Sequence, residues 1–130
     1  MIVGIGTDIV QIPRIARLLK LYDQLFIKKI LSSCEIQQLT SIDKELYSNY
    51  IAKRFAAKEA VSKAFGSGIG RGINFTDISV LNDELGKPFV KISSLTDSDP
   101  LNNFQIYISL ADDYPVAIAF VLISTNRLPL

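Results

Sequence analysis

A carboxylate in an alanine- and lysine-rich segment is the first residue whose type and spacing suggest chemistry. On a helical wheel, Glu59 lies within about 40° of three residues, Ala52, Phe55 and Lys63. Its carboxylate therefore projects from a largely apolar stripe and needs a partner. An ordinary i,i+4 ion pair with Lys63 is one solution. A metal site is the other if a second carboxylate meets it, because Mg²⁺ is commonly held by one or two carboxylates, waters and phosphate oxygens.

The second carboxylate of such a site would be Asp8. An aspartate near the end of a β-branched strand is often a turn or cap residue. Here, however, Gly4 and Gly6 precede Asp8 on the same strand face. Glycines remove side chains from a face where a ligand or another backbone approaches closely. The pattern therefore leaves both a structural role and a metal-ligand role open for Asp8.

A glycine-rich segment over residues 66–72 follows the segment that contains Glu59. It matches neither a GxGxxG nor a Walker A pattern, and it leaves a helix instead of leading into one, so it could be only a C-cap and a turn. The alternative is that its backbone amides approach phosphate oxygens. Residues 53–72 contain five basic residues and one acidic residue, which supports that alternative. The cations expected nearby are Arg54, Lys58, Lys63 and Arg71.

Two further groups near the N-terminus have both a structural and a functional interpretation. Ser32 and Glu35 have the spacing of a capping box, and this role is favoured over a catalytic one for Glu35. The preceding helices interleave basic and apolar side chains, which predicts either a solvated face or a docking surface for an acidic helical partner. Those side chains are Arg14, Arg17, Lys20, Lys28 and Lys29, with Leu18, Phe26 and Ile27.

The composition excludes several classes of function. The chain has no histidine, which excludes Ser-His-Asp triads, Cys-His dyads and His-ligated zinc. Its one cysteine, Cys34, cannot form an internal disulfide, so a reduced, cytoplasmic setting is expected. A net charge of +1 predicts neither nucleic acid nor an anionic membrane as partner. The longest uncharged stretch, residues 114–126, is too short to span a bilayer.

The order of predicted elements indicates an α+β fold. A chain of 130 residues with 48% hydrophobic content predicts one domain over residues 1–130. The predicted helices cover residues 12–22, 23–31, 32–39 and 49–65. The predicted extended segments are 1–10, 73–81, 88–92, 104–110 and 116–123, with a turn at 82–86 and a polar loop at 93–103. Both faces of the last strand are apolar, which predicts burial on both sides by helices or by another subunit.

Three motifs in order resemble one family. They are Gly4-Ile-Gly-Thr-Asp8-Ile-Val10, the run from Arg54 through Lys58-Glu59 to Gly70, and Asn82-Asp-x-x-Gly86-Lys87-Pro88. Together they resemble the holo-acyl-carrier-protein synthases, the small class of phosphopantetheinyl transferases. The resemblance implies an antiparallel-rich sheet packed with helices, one of them long and bearing Glu59, and a homotrimer. It also implies transfer of 4′-phosphopantetheine from coenzyme A to a serine of apo-acyl carrier protein in fatty acid biosynthesis.

The same resemblance implies a role for individual residues. Asp8 and Glu59 would ligate Mg²⁺, and Lys63 would contact the transferring phosphate. Coenzyme A would be held by Arg54, Gly66, Ser67, Gly68, Ile69, Lys87 and Pro88. The acyl carrier protein would dock on Arg14, Leu18, Phe26 and Ile27. Apart from the resemblance, a chain without histidine leaves a carboxylate, acting directly or through a metal-bound water, to activate the serine, and Glu35 and Glu59 are both candidates.

One departure from the family pattern concerns Asp112. The family usually has Ser-x-Ser-His before its last strand, and this chain has Ser109-Leu-Ala-Asp112. Because a carboxylate repels phosphate, we expect either a rearranged turn or a compensating lysine or arginine. Two alternatives to an enzyme stay open: a non-catalytic module that binds acyl carrier protein or coenzyme A, and a structural or regulatory trimer whose basic helices dock acidic proteins.

Overall fold

The computed structural model describes residues 1–66, 73–93 and 103–126. These residues form an α+β fold in which a three-stranded antiparallel sheet and a separate hairpin pack with four helices. The helices are α1 (Ile12–Tyr22), α2 (Gln24–Ile30), α3 (Ser33–Leu39) and α4 (Tyr47–Phe65). The strands are β1 (Ile2–Gln11), β2 (Ile78–Asn82), β3 (Pro88–Ile92), β4 (Phe104–Asp113) and β5 (Val116–Thr125). The sheet order is β1-β5-β4, and β2 pairs with β3.

Most predicted elements are confirmed, with changes at their ends. The segment predicted as extended from residue 73 becomes a strand only at Ile78, because Phe75–Asp77 form a 3₁₀ turn before it. Strands β4 and β5 each extend beyond their predicted ends, to Asp113 and Thr125. The predicted loop over residues 93–103 lies largely outside the described residues. No helix among the described residues has both the length and the apolarity needed to cross a bilayer.

The close approach predicted at the two glycines of β1 is made by the backbone of α4. A Cβ added to Gly6 would lie 2.0 Å from the carbonyl oxygen of Ala60, and one added to Gly4 would lie 2.0 Å from that of Ala64. Both distances are far shorter than a nonbonded contact allows. On α4 the residues at these contacts, Ala60 and Ala64, are both alanines, whose side chains add only one carbon each. The sequence left open whether a ligand or another backbone approaches Gly4 and Gly6. The structure shows that the neighbour is the backbone of α4.

We expect Gly6→Ala to destabilise the protein by about 3 kcal/mol or more, because the clash is with backbone that cannot rotate away. Urea unfolding followed by circular dichroism measures the change. Gly86→Ala is the matched control: nothing lies within 4 Å of its added Cβ, and its φ of 85° costs about 1 kcal/mol for alanine. A cost for Gly6→Ala no larger than that of the control would contradict the close packing.

Burial of the last strand differs from the sequence-based expectation. On one face of β5, Ala117, Ala119, Val121 and Ile123 are fully buried against the core. On the other face, Ile118 and Phe120 are 41% and 44% exposed. The single chain therefore buries one face only, because the helices pack on one side of the sheet, and burial of the other face by another subunit stays a prediction. The apolar residues left uncovered, here called the open sheet face, are Val3, Ile5, Ile9, Tyr107, Ile118 and Phe120.

Candidate functional site

The crossing of β1 and α4 brings the two predicted carboxylates together. Asp8 lies near the end of β1, two residues after the contact between Gly6 and Ala60, and Glu59 precedes Ala60 on α4. Burial raises the pKa of Glu59 above its ordinary value, and the negative charge of Asp8 raises it further. The two acidic side chains therefore lie close enough to repel each other, as expected for a pair that a cation would stabilise.

Lys63 pairs with Asp8 and not, as the i,i+4 spacing suggested, with Glu59. Its Nζ donates to Asp8 Oδ1 at 3.0 Å and to the Thr7 carbonyl oxygen at 3.1 Å. The correction has a simple cause, because β1 passes beside the last turns of α4 and offers Lys63 two acceptors at once. The side chain of Lys63 is 54% exposed, so its ammonium can also reach a bound anion.

A second cation, Arg14, also acts on Glu59. The guanidinium of Arg14, on α1, lies 5.9 Å from the centroid of the Phe55 ring. The positive charges of Lys63 and Arg14 lower the pKa of Glu59, in opposition to burial and to Asp8. Arg14 was assigned only to docking from the sequence, and the structure places its charge beside the acidic pair as well.

The donor set at this crossing fits a hard divalent cation. Within residues 1–66, 73–93 and 103–126, no group of three or more His, Cys, Asp or Glu side chains could hold a metal. Two carboxylates are what the described chain offers, and the other ligands would be water and oxygens of a bound phosphate. This is the arrangement that Mg²⁺ accepts, since it keeps several waters and binds through one or two carboxylates.

Arg54 is buried and connects α4 to the β2–β3 turn. Its Nη2 donates to Asn82 Oδ1 at 3.1 Å, and its Cζ lies 3.8 Å from the centroid of the Tyr50 ring. Its Nε is buried without a partner among the described residues, which leaves one donor unused. Asn82 in turn donates to the Gly86 carbonyl oxygen at 2.8 Å. The predicted ligands Lys87 and Pro88 follow this turn directly. Arg54 is therefore hydrogen-bonded, through Asn82, to the turn that precedes them.

The other predicted coenzyme A residues are described only in part. Gly66 ends α4 in the left-handed conformation, with φ of 76°, and its amide donates to the Ser62 and Lys63 carbonyl oxygens. The predicted C-cap is therefore confirmed. Ser67, Gly68 and Ile69 lie outside the described residues.

Glu35 and Lys58 form a buried ion pair, and both have structural roles. Glu35 is 0% exposed and accepts hydrogen bonds from the Ser32 amide, the Val80 amide and Lys58 Nζ. The predicted capping box with Ser32 is present. Lys58 is also 0% exposed and donates to the carbonyl oxygens of Ile30 and Phe75. Burial lowers the pKa of Lys58, and the Glu35 carboxylate opposes that shift.

These contacts correct two expectations from the sequence. The structure does not support Glu35 as a catalytic base, because none of its surface is accessible and its oxygens are already acceptors. Lys58 does not supply charge to a phosphate site, because its ammonium is enclosed by three acceptors on different elements. Sequence spacing could reveal the cap but not the lysine, since the two residues are joined only by the packing of α3 against α4.

The predicted docking residues differ in burial: Arg14 is exposed, Leu18 is half-buried, and Phe26 and Ile27 are buried. Leu18 and Phe26 line a groove of about 520 Å³ whose other walls come from α1, α2, α4 and the 3₁₀ turn before β2. Ile27 is only 2% exposed and faces the core, so it is not a surface contact in this conformation. The groove residues are Leu18, Tyr22, Leu25, Phe26, Lys29, Ile30, Phe55 and Phe75.

Asp112 lies beside a compensating cation. A rearranged turn or a compensating lysine or arginine was expected from the sequence, and the structure shows a lysine. Lys53 Nζ, on α4, lies 3.4 Å from Asp112 Oδ1 at the end of β4. The charge on this part of α4 was visible in the sequence, but the particular lysine was not predicted.

Tyr50 is a further residue that the sequence analysis did not single out. Burial raises its pKa to about 12, so its hydroxyl stays protonated and donates to Gln38 Oε1 at 2.9 Å.

Comparisons with known proteins support the interpretation of the motifs. The model of the 4′-phosphopantetheinyl transferase superfamily matches residues 4–119. The holo-[acyl-carrier-protein] synthase of Orientia tsutsugamushi (strain Ikeda) is 47% identical over 130 residues, covering 97% of this chain and 99% of that protein. The holo-[acyl-carrier-protein] synthase structure from Neisseria meningitidis is 38% identical with a TM-score of 0.87, covering 96% of this chain and 100% of that one.

A third relative has a bound ligand. The holo-(acyl-carrier-protein) synthase structure from Bacillus anthracis str. Ames, in complex with CoA (3′,5′-ADP), is 35% identical with a TM-score of 0.83. The alignment covers 97% of this chain and 99% of the chain in that structure. The similarity therefore extends over almost the whole chain in sequence and in fold.

Proposed function

This chain belongs to the 4′-phosphopantetheinyl transferase superfamily, and from that premise we propose that it is a holo-acyl-carrier-protein synthase. It transfers 4′-phosphopantetheine from coenzyme A to a serine of apo-acyl carrier protein, in support of fatty acid biosynthesis. The single observation that carries this proposal is the meeting of Asp8, Glu59 and Lys63 where β1 crosses α4. A cytoplasmic location is part of the proposal, and immunoblotting of fractionated source cells tests it.

Asp8 and Glu59 are the residues that would hold Mg²⁺. The bound ion would supply positive charge to the diphosphate oxygens of coenzyme A. Lys63 adds a half-exposed ammonium beside them, which would stabilise the negative charge that develops on the transferring phosphate and on the leaving group. Arg54 supplies a further fixed positive charge on α4, held by Asn82 and Tyr50.

The reaction also needs a proton acceptor. The serine oxygen forms a bond to the phosphorus that bears pantetheine, and the diphosphate P–O bond breaks to release adenosine 3′,5′-bisphosphate. The serine proton must pass to a base, and this chain has no histidine. Glu59 is the carboxylate we propose, because it lies beside Asp8 and Lys63 at the proposed site of transfer, whereas Glu35 is enclosed.

The carrier protein would dock on α1 and α2. Arg14 lies near Phe55, which lines the groove, and its positive charge acts on Glu59, so we propose that an acidic helix bound there brings its serine toward Glu59. Leu18 and Phe26 provide apolar contacts in the same groove. We propose the homotrimer from the family resemblance, and the open sheet face supports association between chains, because an apolar sheet surface of this kind is usually covered. Sedimentation equilibrium tests the trimer, and a mass of one chain would contradict it.

The decisive experiment combines the protein with apo-acyl carrier protein, coenzyme A and Mg²⁺ and weighs the carrier by mass spectrometry. We expect the carrier to gain one phosphopantetheine, and we expect the gain to disappear when the metal is chelated. A carrier of unchanged mass, with coenzyme A or carrier still bound, would instead identify a non-catalytic binding module. A gain that persists in excess chelator would remove the metal from the proposal.

A further inference from the structure

Lys58 is a buried cation that the proposed mechanism does not use. It lies on α4, and its side chain is 0% exposed. Its Nζ donates to the Ile30 carbonyl oxygen at 2.7 Å, to the Phe75 carbonyl oxygen at 2.9 Å and to a carboxylate oxygen of Glu35. The ion pair with Glu35 balances the charge of Lys58, whereas the two carbonyl contacts fix the position of the segments that supply them.

Both carbonyl oxygens belong to residues that line the groove on α1 and α2. Ile30 is the last residue of α2, and Phe75 lies in the 3₁₀ turn before β2. Carbonyl oxygens in the last turn of a helix have no partner within the helix, so that of Ile30 needs a donor from elsewhere. Phe75 also stacks on Phe55 of α4, with the ring centroids 5.3 Å apart. Lys58 therefore ties two walls of the groove to a third wall, which is its own helix.

The acidic pair, Asp8 and Glu59, has a separate support. The backbone of α4 packs against β1 at two glycines, Gly4 and Gly6. These contacts lie on the side of α4 that faces the sheet, whereas Lys58 reaches toward α2, α3 and the turn before β2. Loss of the Lys58 ammonium should therefore move the groove walls while β1 and α4 still bring the acidic pair together.

We propose that Lys58 is a positioning residue for the carrier protein: its ammonium holds the Ile30 and Phe75 walls at the spacing at which the groove accepts an acidic helix. The inference rests on the proposed function, which places the carrier protein in this groove. Without the ammonium, both carbonyl oxygens lose a donor inside the fold, and finding another donor requires their segments to move. Arg54 and the β2–β3 turn, which are proposed for coenzyme A, do not line the groove.

Binding measurements with two ligands test this inference without requiring transfer. Isothermal titration calorimetry gives the Kd of Lys58→Met for apo-acyl carrier protein and for coenzyme A with Mg²⁺, at a temperature at which circular dichroism shows the variant folded. We expect the Kd for the carrier to rise about tenfold and that for coenzyme A to stay within about twofold of the wild type, because only the groove walls move. A rise of the same size for both ligands would overturn the inference.

Further variants separate positioning from a loss of stability. Glu35→Gln breaks the buried ion pair but leaves the Lys58 ammonium on both carbonyl oxygens, so the Kd for the carrier should stay within about twofold. In the double variant Lys58→Met, Glu35→Gln the stability recovers in part, yet the Kd should stay raised about tenfold because the carbonyl contacts are still absent. Ile123→Ala, a buried change on β5 outside the groove, is the matched control for stability and should leave the Kd unchanged.

The Kd of the double variant for the carrier is the deciding measurement. Recovery of the wild-type value together with stability would show that Lys58 acts only through stability, and it would overturn the inference. A rise of about tenfold in Glu35→Gln, which keeps both carbonyl contacts, would overturn it too, as would the absence of carrier binding by the wild type. If Lys58→Met does not fold, the double variant and Glu35→Gln still give this comparison.

Transfer kinetics, measured from the mass of the carrier, add a second readout. A positioning role predicts that Lys58→Met raises the KM for the carrier about tenfold and leaves kcat within about threefold. A fall in kcat as large as the rise in KM would place the effect at the acidic pair and would contradict the inference. The mass gain of the carrier with the wild-type protein reports separately whether the proposed transfer itself fails.

Discussion

Glu59→Gln is expected to lower the rate of phosphopantetheine transfer at least about 1,000-fold, because it removes both a metal-binding charge and the proposed proton acceptor. Gln keeps the size and one oxygen of Glu, so the packing of α4 against β1 should persist. Initial rates from the mass of the carrier protein measure the effect. Retention of near-normal activity would exclude Glu59 from the site.

The stability of the same variant gives an independent measurement on the metal-free protein. In the folded wild type the pKa of Glu59 is raised, so the native state holds its proton to higher pH than the unfolded state does. The wild type should therefore lose stability as pH rises from the ordinary glutamate pKa through the raised one. Glu59→Gln should lack that part of the loss, whereas Glu45→Gln, at an exposed position, should retain it.

Lys58→Met is expected to reduce the free energy of unfolding by about 3–5 kcal/mol, because it leaves the carboxylate of Glu35 buried and unpaired. It also leaves the carbonyl oxygens of Ile30 and Phe75 without their donor. These contacts join α4 to α2, to α3 and to the segment that leads into the hairpin. Their loss should therefore weaken the packing of all three against α4. Urea unfolding at neutral pH measures the change.

Two variants test the origin of that loss. Adding Glu35→Gln to Lys58→Met removes the uncompensated charge, while the Gln oxygen can still accept from Ser32 or Val80, so we expect partial recovery. Lys63→Met breaks the half-exposed pair with Asp8 and should cost less than about 1 kcal/mol. If Lys58→Met costs no more than Lys63→Met, the buried pair does not anchor the fold. If the Lys58 variants cannot be purified, Glu35→Gln alone gives the comparison.

Several parts of this fold could be predicted because the responsible interactions are local. The capping box at Ser32 and Glu35 links residues three positions apart, and the end of α4 depends on one glycine at Gly66. The hairpin turn uses Asp83 to accept from the Leu85 and Lys87 amides. Each signal lies within about one turn of the chain, so the residue types are sufficient to identify it.

The expectations about the partners and burial of individual side chains failed where they depend on contacts between distant segments. The partner of Lys63 depends on where β1 passes α4, and the burial of Lys58 depends on how α3 and the hairpin close over α4. Helical spacing suggested Glu59 as the partner of Lys63, because spacing contains information only about residues on the same helix. The docking assignment of Ile27 failed for the same reason: α2 turns that side chain into the core.

From the sequence alone, the α+β order of elements and the family motifs could be identified, and Asp8 and Glu59 could be predicted as a pair of candidate ligands. Glycines at Gly4 and Gly6 already indicated that a neighbour comes close. Only the tertiary structure decided that this neighbour is α4, that Lys53 compensates Asp112, and that Glu35 is enclosed. The physical reason is that the environment of a charge is set by every element packed around it, whereas spacing reports only neighbours on one element.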